Sequence, residues 1–426
     1  MLVVSSHYLQ RLRLFHRDVR LFLVSAAVVG LAWDGVRAVV LNLYMLRLGY
    51  GPEFVGVVNA VGALVFALSC LPAGAMGSRW QSRRVLVGGV VLLAASFGLL
   101  PMTEILTGSG RTAWLVLTSA LGHLGLALYL VNGLPFMMAA TKPLERSHAF
   151  SFHMAVVPLA GFAGSLLGGI LPGLFAAGSG LSLEAAAPYR FPLWLAALLL
   201  VPGIAVLLRT RTVDGEPAPA GPAPGPAVQT SPAPIGLILA IGLTMALRFG
   251  GRGILVTFFN VYLDDGLGAS TALIGSLSAA GQLLAVPSAL IAPLLVARAG
   301  NIRTVSWGTL GMAVCLLPLA LVPHWAPAGL GLVSSTTLFS ATVGPIRMFS
   351  QELVAPRWRA SMASAFMMGA GLAFSAVSLL GGYAIAGLGY QTLFLIAAGL
   401  MAGGGIFFWW YFRQPRGELT GESLPG

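Results

Sequence analysis

Residues 21–46 read LFLVSAAVVGLAWDGVRAVVLNLYML, and residues 235–263 read IGLILAIGLTMALRFGGRGILVTFFNVYL. Each run is long enough in helical form to cross a bilayer core, which takes about 20 apolar residues. Each also carries charge in its middle: Asp34 and Arg37 in the first, Arg248 and Arg252 in the second. An ionised side chain at bilayer depth costs roughly 2.5–3.5 kcal/mol on insertion scales, so such residues are expected to face a bundle interior or a watery cavity. The two runs also match one another. Asn42-Leu43-Tyr44 is answered by Asn260-Val261-Tyr262 and Gly35 by Gly253, a register that sets Asp34 opposite Arg252.

Outward from these two runs, apolar segments recur at 53–76, 85–102, 113–140, 149–175 and 191–208, and again at 272–297, 304–322, 327–350, 360–386 and 391–412. The 426 residues are 57% hydrophobic and 9% charged, with a mean hydropathy of +0.88. Soluble domains carry about 25% charged residues. The expected fold class is therefore an all-α membrane protein with twelve transmembrane helices. The net charge of +11 sits in short clusters between the apolar runs, which argues against a nucleic-acid surface and for membrane orientation. Cys70 and Cys315 both lie inside apolar runs, where a structural disulfide is not expected.

The chain divides as follows. Residues 1–20 hold Arg11, Arg13, Arg17 and Arg20, with Tyr8, Leu12, Phe15 and Val19 at helical spacing, and read either as an amphipathic surface segment or as a partly ordered tail. Residues 21–208 and 235–412 are two six-helix units. Between them, 209–234 is rich in Pro, Ala and Gly, as expected of a flexible linker, and 413–426 is a tail. With twelve spans both termini share a side. That side holds the N-terminal arginines, Arg79, Arg83, Arg84, Lys142, Arg146, Arg209, Arg211, Arg298, Arg303, Arg357, Arg359, Arg413 and Arg416, against Arg47, Arg111 and Arg190 on the other. The positive-inside rule puts the termini and linker in the cytoplasm, and the expected location is a cell (inner) membrane.

The repeat extends through Gly49/Gly268, Gly56/Gly275, Gly62/Gly281, Arg79/Arg298 and Arg84/Arg303. A second register relates Pro143, Arg146, Gly168 and Gly169 to Pro356, Arg359, Gly381 and Gly382. The chain reads as a duplicated six-helix unit.

At these residues the chain resembles the major facilitator superfamily of secondary transporters. The loop between the second and third runs, Gly74-Ala75-Met76-Gly77-Ser78-Arg79-Trp80-Gln81-Ser82-Arg83-Arg84, is similar to that family's G-x-x-x-D-R-x-x-x-R-R, with Ser78 in place of the acid. The repeat copy keeps only Arg298 and Arg303, with Pro293 in place of the glycine and Ala297 in place of the acid. The resemblance implies a cytoplasmic latch, in which Gly74 admits a close helix approach and Arg79, Arg83, Arg84, Arg298 and Arg303 reach carbonyls of the opposite half. Ordinary positive-inside anchoring is the competing reading. Gly161, Gly164, Ser165, Gly168 and Gly169 partly match a family antiporter motif, but small residues at this spacing also permit plain helix packing.

On a 100° wheel Gly30, Trp33, Asp34, Arg37, Leu41 and Tyr44 share one stripe, and Thr244, Arg248, Arg252, Leu255, Phe259 and Tyr262 another. Trp33, Asp34, Arg37, Tyr44, Arg248, Arg252, Phe259 and Tyr262 are the expected substrate-binding or coupling residues. Asp34 has three possible roles: a pair with Arg37, a bridge to Arg252, or a proton carrier. A permanent ion cluster that only fixes packing is the structural alternative. His153, and less so His123, are further candidates for proton handling. Asn132, Tyr129 and Gln282 are candidate cavity contacts, and Arg347 either snorkels or lines the cavity, with Glu352 within reach. Asn42 and Asn260 lie off the stripes and are expected to bond helix to helix.

No Walker, H-E-x-x-H, G-x-S-x-G or metal-spaced His/Cys pattern occurs, so no catalytic, cofactor or metal site is expected, and the chain is read as a non-enzyme. The expected function is ion-gradient-driven, proton-coupled transport of a small organic molecule by alternating access, with export favoured over import. The expected form is a monomer in the lipid bilayer. Alternatives are an organic-anion transporter using the intramembrane arginines, or a receptor, scramblase or regulatory protein on the same scaffold.

Overall fold

The computed structural model describes residues 16–142, 145–211, 234–414 and 416. The readings placed on residues 1–15, on the body of the linker and on the end of the tail lie outside these.

Twelve long helices form: α1 (Arg17–Arg47), α2 (Pro52–Trp80), α3 (Ser82–Leu99), α4 (Gly108–Ala140), α5 (Arg146–Ser179), α6 (Ala187–Leu208), α7 (Ile235–Val261), α8 (271–299), α9 (301–321), α10 (Trp325–Glu352), α11 (359–388) and α12 (390–412). Ten continuous helical stretches among the described residues are long and apolar enough to cross a bilayer, the two longest each dividing at one glycine, and helices satisfy their backbone bonds internally, as a hydrocarbon environment requires.

The helices end where the backbone is made to turn. Gly300 (φ 78°) separates α8 from α9, and Gly389 (φ 78°) separates α11 from α12, each as a one-residue corner. Glycine carries no Cβ penalty at positive φ. The repeat partner of Gly300 is Gln81, which makes the same corner between α2 and α3 at φ 67° and is the one non-glycine with positive φ among the described residues.

Helices α1–α6 and α7–α12 make two six-helix bundles related by the sequence repeat. They meet along α1–α7, α2–α11 and α5–α8. The last two seams are equivalents of each other. A Cβ on Gly275 of α8 would fall against Gly169 and the Ser165 carbonyl of α5, and a Cβ on Gly56 of α2 would fall against Gly382 and the Ser378 carbonyl of α11. Gly56 with Gly275 and Gly169 with Gly382 are pairs already given by the two registers, so the duplication is visible in the contacts as well as in the letters.

The described links between the halves run from mid-bundle to the end opposite the chain termini, here called the far end. At that end Arg47 of α1 donates to both carboxylate oxygens of Asp264 at 2.7 Å, and Tyr189 meets Thr271 at 3.0 Å. Deeper, Asn42 donates to the Thr257 carbonyl (2.8 Å), Asn260 to the Ala38 carbonyl (2.6 Å) and Ser375 to the Ala60 carbonyl (2.9 Å). Neither α4 nor α10 makes an extended contact with the opposite half among the described residues. The halves are thus clasped at the far end.

Candidate functional site

The midpoint of α1 is not an α-helix. Residues Gly30–Arg37 form a π-helical segment, and this is the segment that holds Trp33, Asp34 and Arg37. Its cause is visible next door. Gly35 lies against Gly164 and the Gly161 carbonyl of α5, and a Cβ on Gly164 would fall on the Leu31 carbonyl. The glycine run of α5 is therefore used for backbone-to-backbone packing on α1, and through Gly169 on α8. π-Segments occur mostly as single turns and are frequent at functional sites.

Within this segment Asp34 and Arg37 are half-buried. The Arg37 guanidinium stacks on the Trp33 ring (4.0 Å to the centroid), and its Nη2 has no hydrogen-bond partner. Asp34 forms no ion pair within 4.0 Å, either with Arg37 on its own helix or with Arg252 across the bundle. Its neighbours are Gly161 of α5 and Gln282 of α8, whose amide reaches the Asp34 backbone carbonyl at 3.4 Å. A carboxylate without a direct ion pair, though within electrostatic reach of Arg37, thus sits where α1, α5 and the opposite half's α8 converge.

The matching centre of α7 is regular helix. Arg252 donates to Thr336 Oγ1 (3.0 Å) and lies over the Phe339 ring at 4.9 Å. Arg248 is 2% exposed, donates to Thr342 Oγ1 (2.7 Å), and leaves Nε and Nη1 without partners. Sequence reasoning did not single out these three α10 residues. Thr336 and Thr342 were among many hydroxyls in apolar runs, and only the α7–α10 packing selects them.

The structure does not bring all the wheel-stripe residues together. Trp33 is taken up by Arg37, by Phe97 and by His123, which meets it edge-on at 4.9 Å. Tyr44 is buried far from the midpoint and donates to Glu104 (3.0 Å), which also accepts from Arg190 (2.8 Å). Phe259 is buried in the core, and Tyr262 packs on Tyr390 and Phe394. In this conformation these aromatics belong to the closed far end. The physical reason is twofold. A uniform 100° wheel does not describe a helix with a π-segment, and the clasp encloses everything beyond it.

His123 bonds the Ser119 carbonyl (2.9 Å) and serves packing; His153 lies beside Phe22 with Nδ1 unpartnered. Tyr129 meets Ser25, and Asn132 donates to the Ala73 and Leu128 carbonyls, so both are helix-packing groups here. Asn42 and Asn260 do bond helix to helix, with Asn59 adding a bond to Asn42 (3.1 Å). Arg347 is exposed and lies over Phe366, without an ion pair to Glu352.

The latch residues are at the end that bears the termini. Gly74 faces Val131 of α4 in its own half. Arg83 donates to the carbonyls of Leu207 and Leu208, the last carbonyls of α6. The expected bond type forms, therefore, but within one half rather than between halves. Arg79, Arg84 and Arg298 are exposed; Arg303 lines a cleft of about 520 Å³ with Glu352, Trp409 and Arg413. The Ser78 side chain lies outside the described residues.

Two repeated bundles around a midplane of charged and amide side chains define a class: polytopic helical carriers. A sequence profile of the Major Facilitator Superfamily matches residues 22–376, and the chain belongs to that family. No curated protein sequence matches it. Among solved structures it is similar to a mutant of the nucleoside transporter NupG, with 15% identity and a TM-score of 0.71 over 93% of this chain and 100% of that one. It is also similar to the inward-open xylose transporter XylE from E. coli, with 14% identity and a TM-score of 0.73 over 93% and 96% of the two chains. A bacterial homolog of the human lysosomal transporter Spinster, inward-facing and occupied, matches with 15% identity and a TM-score of 0.73 over 92% and 96%. Family and neighbours are transporters rather than enzymes, and the chain is a multi-pass membrane protein built for secondary transport by alternating access.

Proposed function

We propose that this protein moves a small organic solute across the membrane, using an ion gradient to which Asp34 couples as a proton carrier. The observation that carries this reading is the carboxylate without a direct ion pair. In the conformation closed at the far end, Asp34 has no ion-pair partner, although Arg37 is three residues away. A buried structural ion pair would hold its partner in place in every state. A carboxylate at the junction of the two halves, without such a partner, is free to gain and lose a proton as the halves rearrange. A solved structure of a D-xylose-proton symporter, 16% identical with a TM-score of 0.71 over 96% and 99% of the two chains, shares the fold and is consistent with such coupling.

The termini and linker are cytoplasmic in this proposal, on the arginine asymmetry, and the clasped far end faces outward. A cysteine label at Ala223 and one at Gly180, in a background without Cys70 and Cys315, then report from opposite sides. The α5 glycines, which partly match an antiporter motif, also pack on α1 and α8. Export is the favoured direction on that partial motif, and flux direction in oriented proteoliposomes tests it.

The deciding experiment is proteoliposome flux with a panel of organic acids and drug-like compounds, with and without a pH gradient. The expected result is saturable, gradient-dependent flux. Asp34→Asn is expected to lose uphill accumulation while keeping downhill exchange. Near-normal gradient-driven transport by Asp34→Asn would sink the coupling role.

A further inference from the structure

The C-terminal half carries buried positive charge that nothing in that half neutralises. Arg248 and Arg252 are four residues apart on α7, hence on one face a turn apart. Like charges so placed repel. From residue 235 to residue 412 the acidic residues are Asp264, Asp265 and Glu352. Asp264 is taken by Arg47, Asp265 accepts from Tyr390, and Glu352 is the last residue of α10, away from the midpoint. The N-terminal half's one midplane acid, Asp34, pairs with neither arginine.

Both guanidinium groups are nevertheless held in place. Thr342 fixes Arg248 and Thr336 fixes Arg252, both from α10, and Phe339 floors Arg252. Phe249 meets Phe339 edge-on at 5.5 Å, so an aromatic wall adjoins the charges. Arg248 keeps N–H groups at Nε and Nη1 unsatisfied at 2% exposure. A buried, positioned guanidinium with two nitrogens unsatisfied and no counter-charge is a costly arrangement unless an anion completes it. Arginine's fixed fork of donors matches a carboxylate or phosphate oxygen pair.

We infer that the space between α7 and α10 at Arg248 and Arg252 is an anion subsite for the carboxylate or phosphate group of the transported solute. In the carrier proposed above, and resting on that reading, the N-terminal half then handles the proton at Asp34 and the C-terminal half the anionic end of the solute. The aromatic pair Phe249–Phe339 would contact the organic body.

The test uses the purified full chain in lipid-free detergent micelles, so that no phospholipid headgroup can supply the effect. Intrinsic tryptophan melting curves are recorded against sodium benzoate and against inorganic phosphate, with sodium chloride at equal ionic strength as reference. The expected result is a saturable rise in melting temperature with benzoate or phosphate beyond that with chloride. Arg248→Gln and Arg252→Gln should each raise the apparent Kd about tenfold or more, as loss of a charge-assisted pair implies. Thr342→Val and Thr336→Val, which keep the charge and the shape, should raise it a few-fold, and they carry the test if the arginine variants do not insert. Arg209→Gln, at an exposed arginine just past the end of α6 and away from the midpoint, should retain the shift.

A shift that persists undiminished in the arginine and threonine variants would overturn the subsite. So would a shift no larger than that of chloride, which would leave only a halide or general salt effect. An anion-dependent shift in a protein that shows no gradient-driven flux would leave the subsite standing and remove the carrier reading. Flux without the shift would do the reverse.

Discussion

The centres of α1 and α7 occupy matching places in the two halves, and they are built differently. In α1 the centre is a π-segment pressed backbone-to-backbone on α5, because Gly35 meets Gly161 and Gly164. In α7 the matching Gly253 meets Val377 and Phe374 of α11, the positions that the repeat pairs with those two glycines, and the helix stays regular. One centre carries a free acid and a stacked arginine; the other carries two arginines tethered to threonines. A duplicated scaffold has thus kept its seams symmetric while its two midpoints have diverged in backbone and charge. The seams must stay complementary for the halves to pack, whereas the midpoint side chains are under no such mutual constraint.

The largest expected effect lies where that symmetry is clamped. Arg47 and Asp264 form a two-bond ion pair between halves at 14% and 7% side-chain exposure. Removing one partner of a buried pair typically costs about 3–5 kcal/mol, because it leaves the other charge buried and unpaired. Arg47→Ala should therefore destabilise the far-end-closed state. A cysteine at Ala60, buried in the α2–α11 seam, should then react faster with an impermeant thiol reagent from that side. An unchanged labelling rate would show that the glycine seams alone hold the far end shut.

Next comes a direct contrast between the two centres. Gly35→Ala puts a methyl group into the backbone of α5, which has no side chain to move aside. Gly253→Ala meets the Val377 and Phe374 side chains, at 2.8 and 3.2 Å, which can rotate. Overpacking costs about 1–3 kcal/mol, so the first substitution should lie at or above the top of that range and the second near the bottom. Melting temperatures of the two variants measure the difference; equal losses would erase the contrast.

A smaller effect separates the corner residues. Gln81 takes the positive-φ corner that Gly300 takes in the other half. Strained non-glycine backbone costs about 1–3 kcal/mol, partly offset by the extra freedom glycine has when unfolded. Gln81→Gly should raise the melting temperature modestly, and Gly300→Gln should lower it. The smallest effects belong to the reciprocal asparagines. Interhelical hydrogen bonds in membranes average about 0.6 kcal/mol, so Asn42→Ala and Asn260→Ala should each cost about that much. Asn42→Ala should cost slightly more, because Asn59 also loses one of its two acceptors and keeps the Val55 carbonyl.

Much of this was legible from residue order. The twelve spans read from the apolar runs are consistent with the ten long apolar helices of the structure, two of which divide at a single glycine. The reading of Asn42 and Asn260 as helix-to-helix donors came from their place off the charged stripes, and they bond as that placement implies. The assignment of Tyr44, Phe259 and Tyr262 to the same lining as Asp34 did not survive in this conformation. A wheel assumes constant pitch and knows nothing of which end of the bundle is closed. Asp264 and Glu104 were missed as clasp and far-end partners, since an acid near a span boundary looks like any solvated loop charge.

Hydrophobic periodicity, repeat register and arginine distribution are properties of the chain itself, so spans, duplication and the charged midpoints could be read from it directly. Which small residues press together, which turn of α1 opens into a π-segment, which threonines meet Arg248 and Arg252, and whether Asp34 finds a partner depend on helices far apart in the chain. Those are contacts between distant segments, set by how twelve helices fill one another's grooves, and no local pattern encodes them.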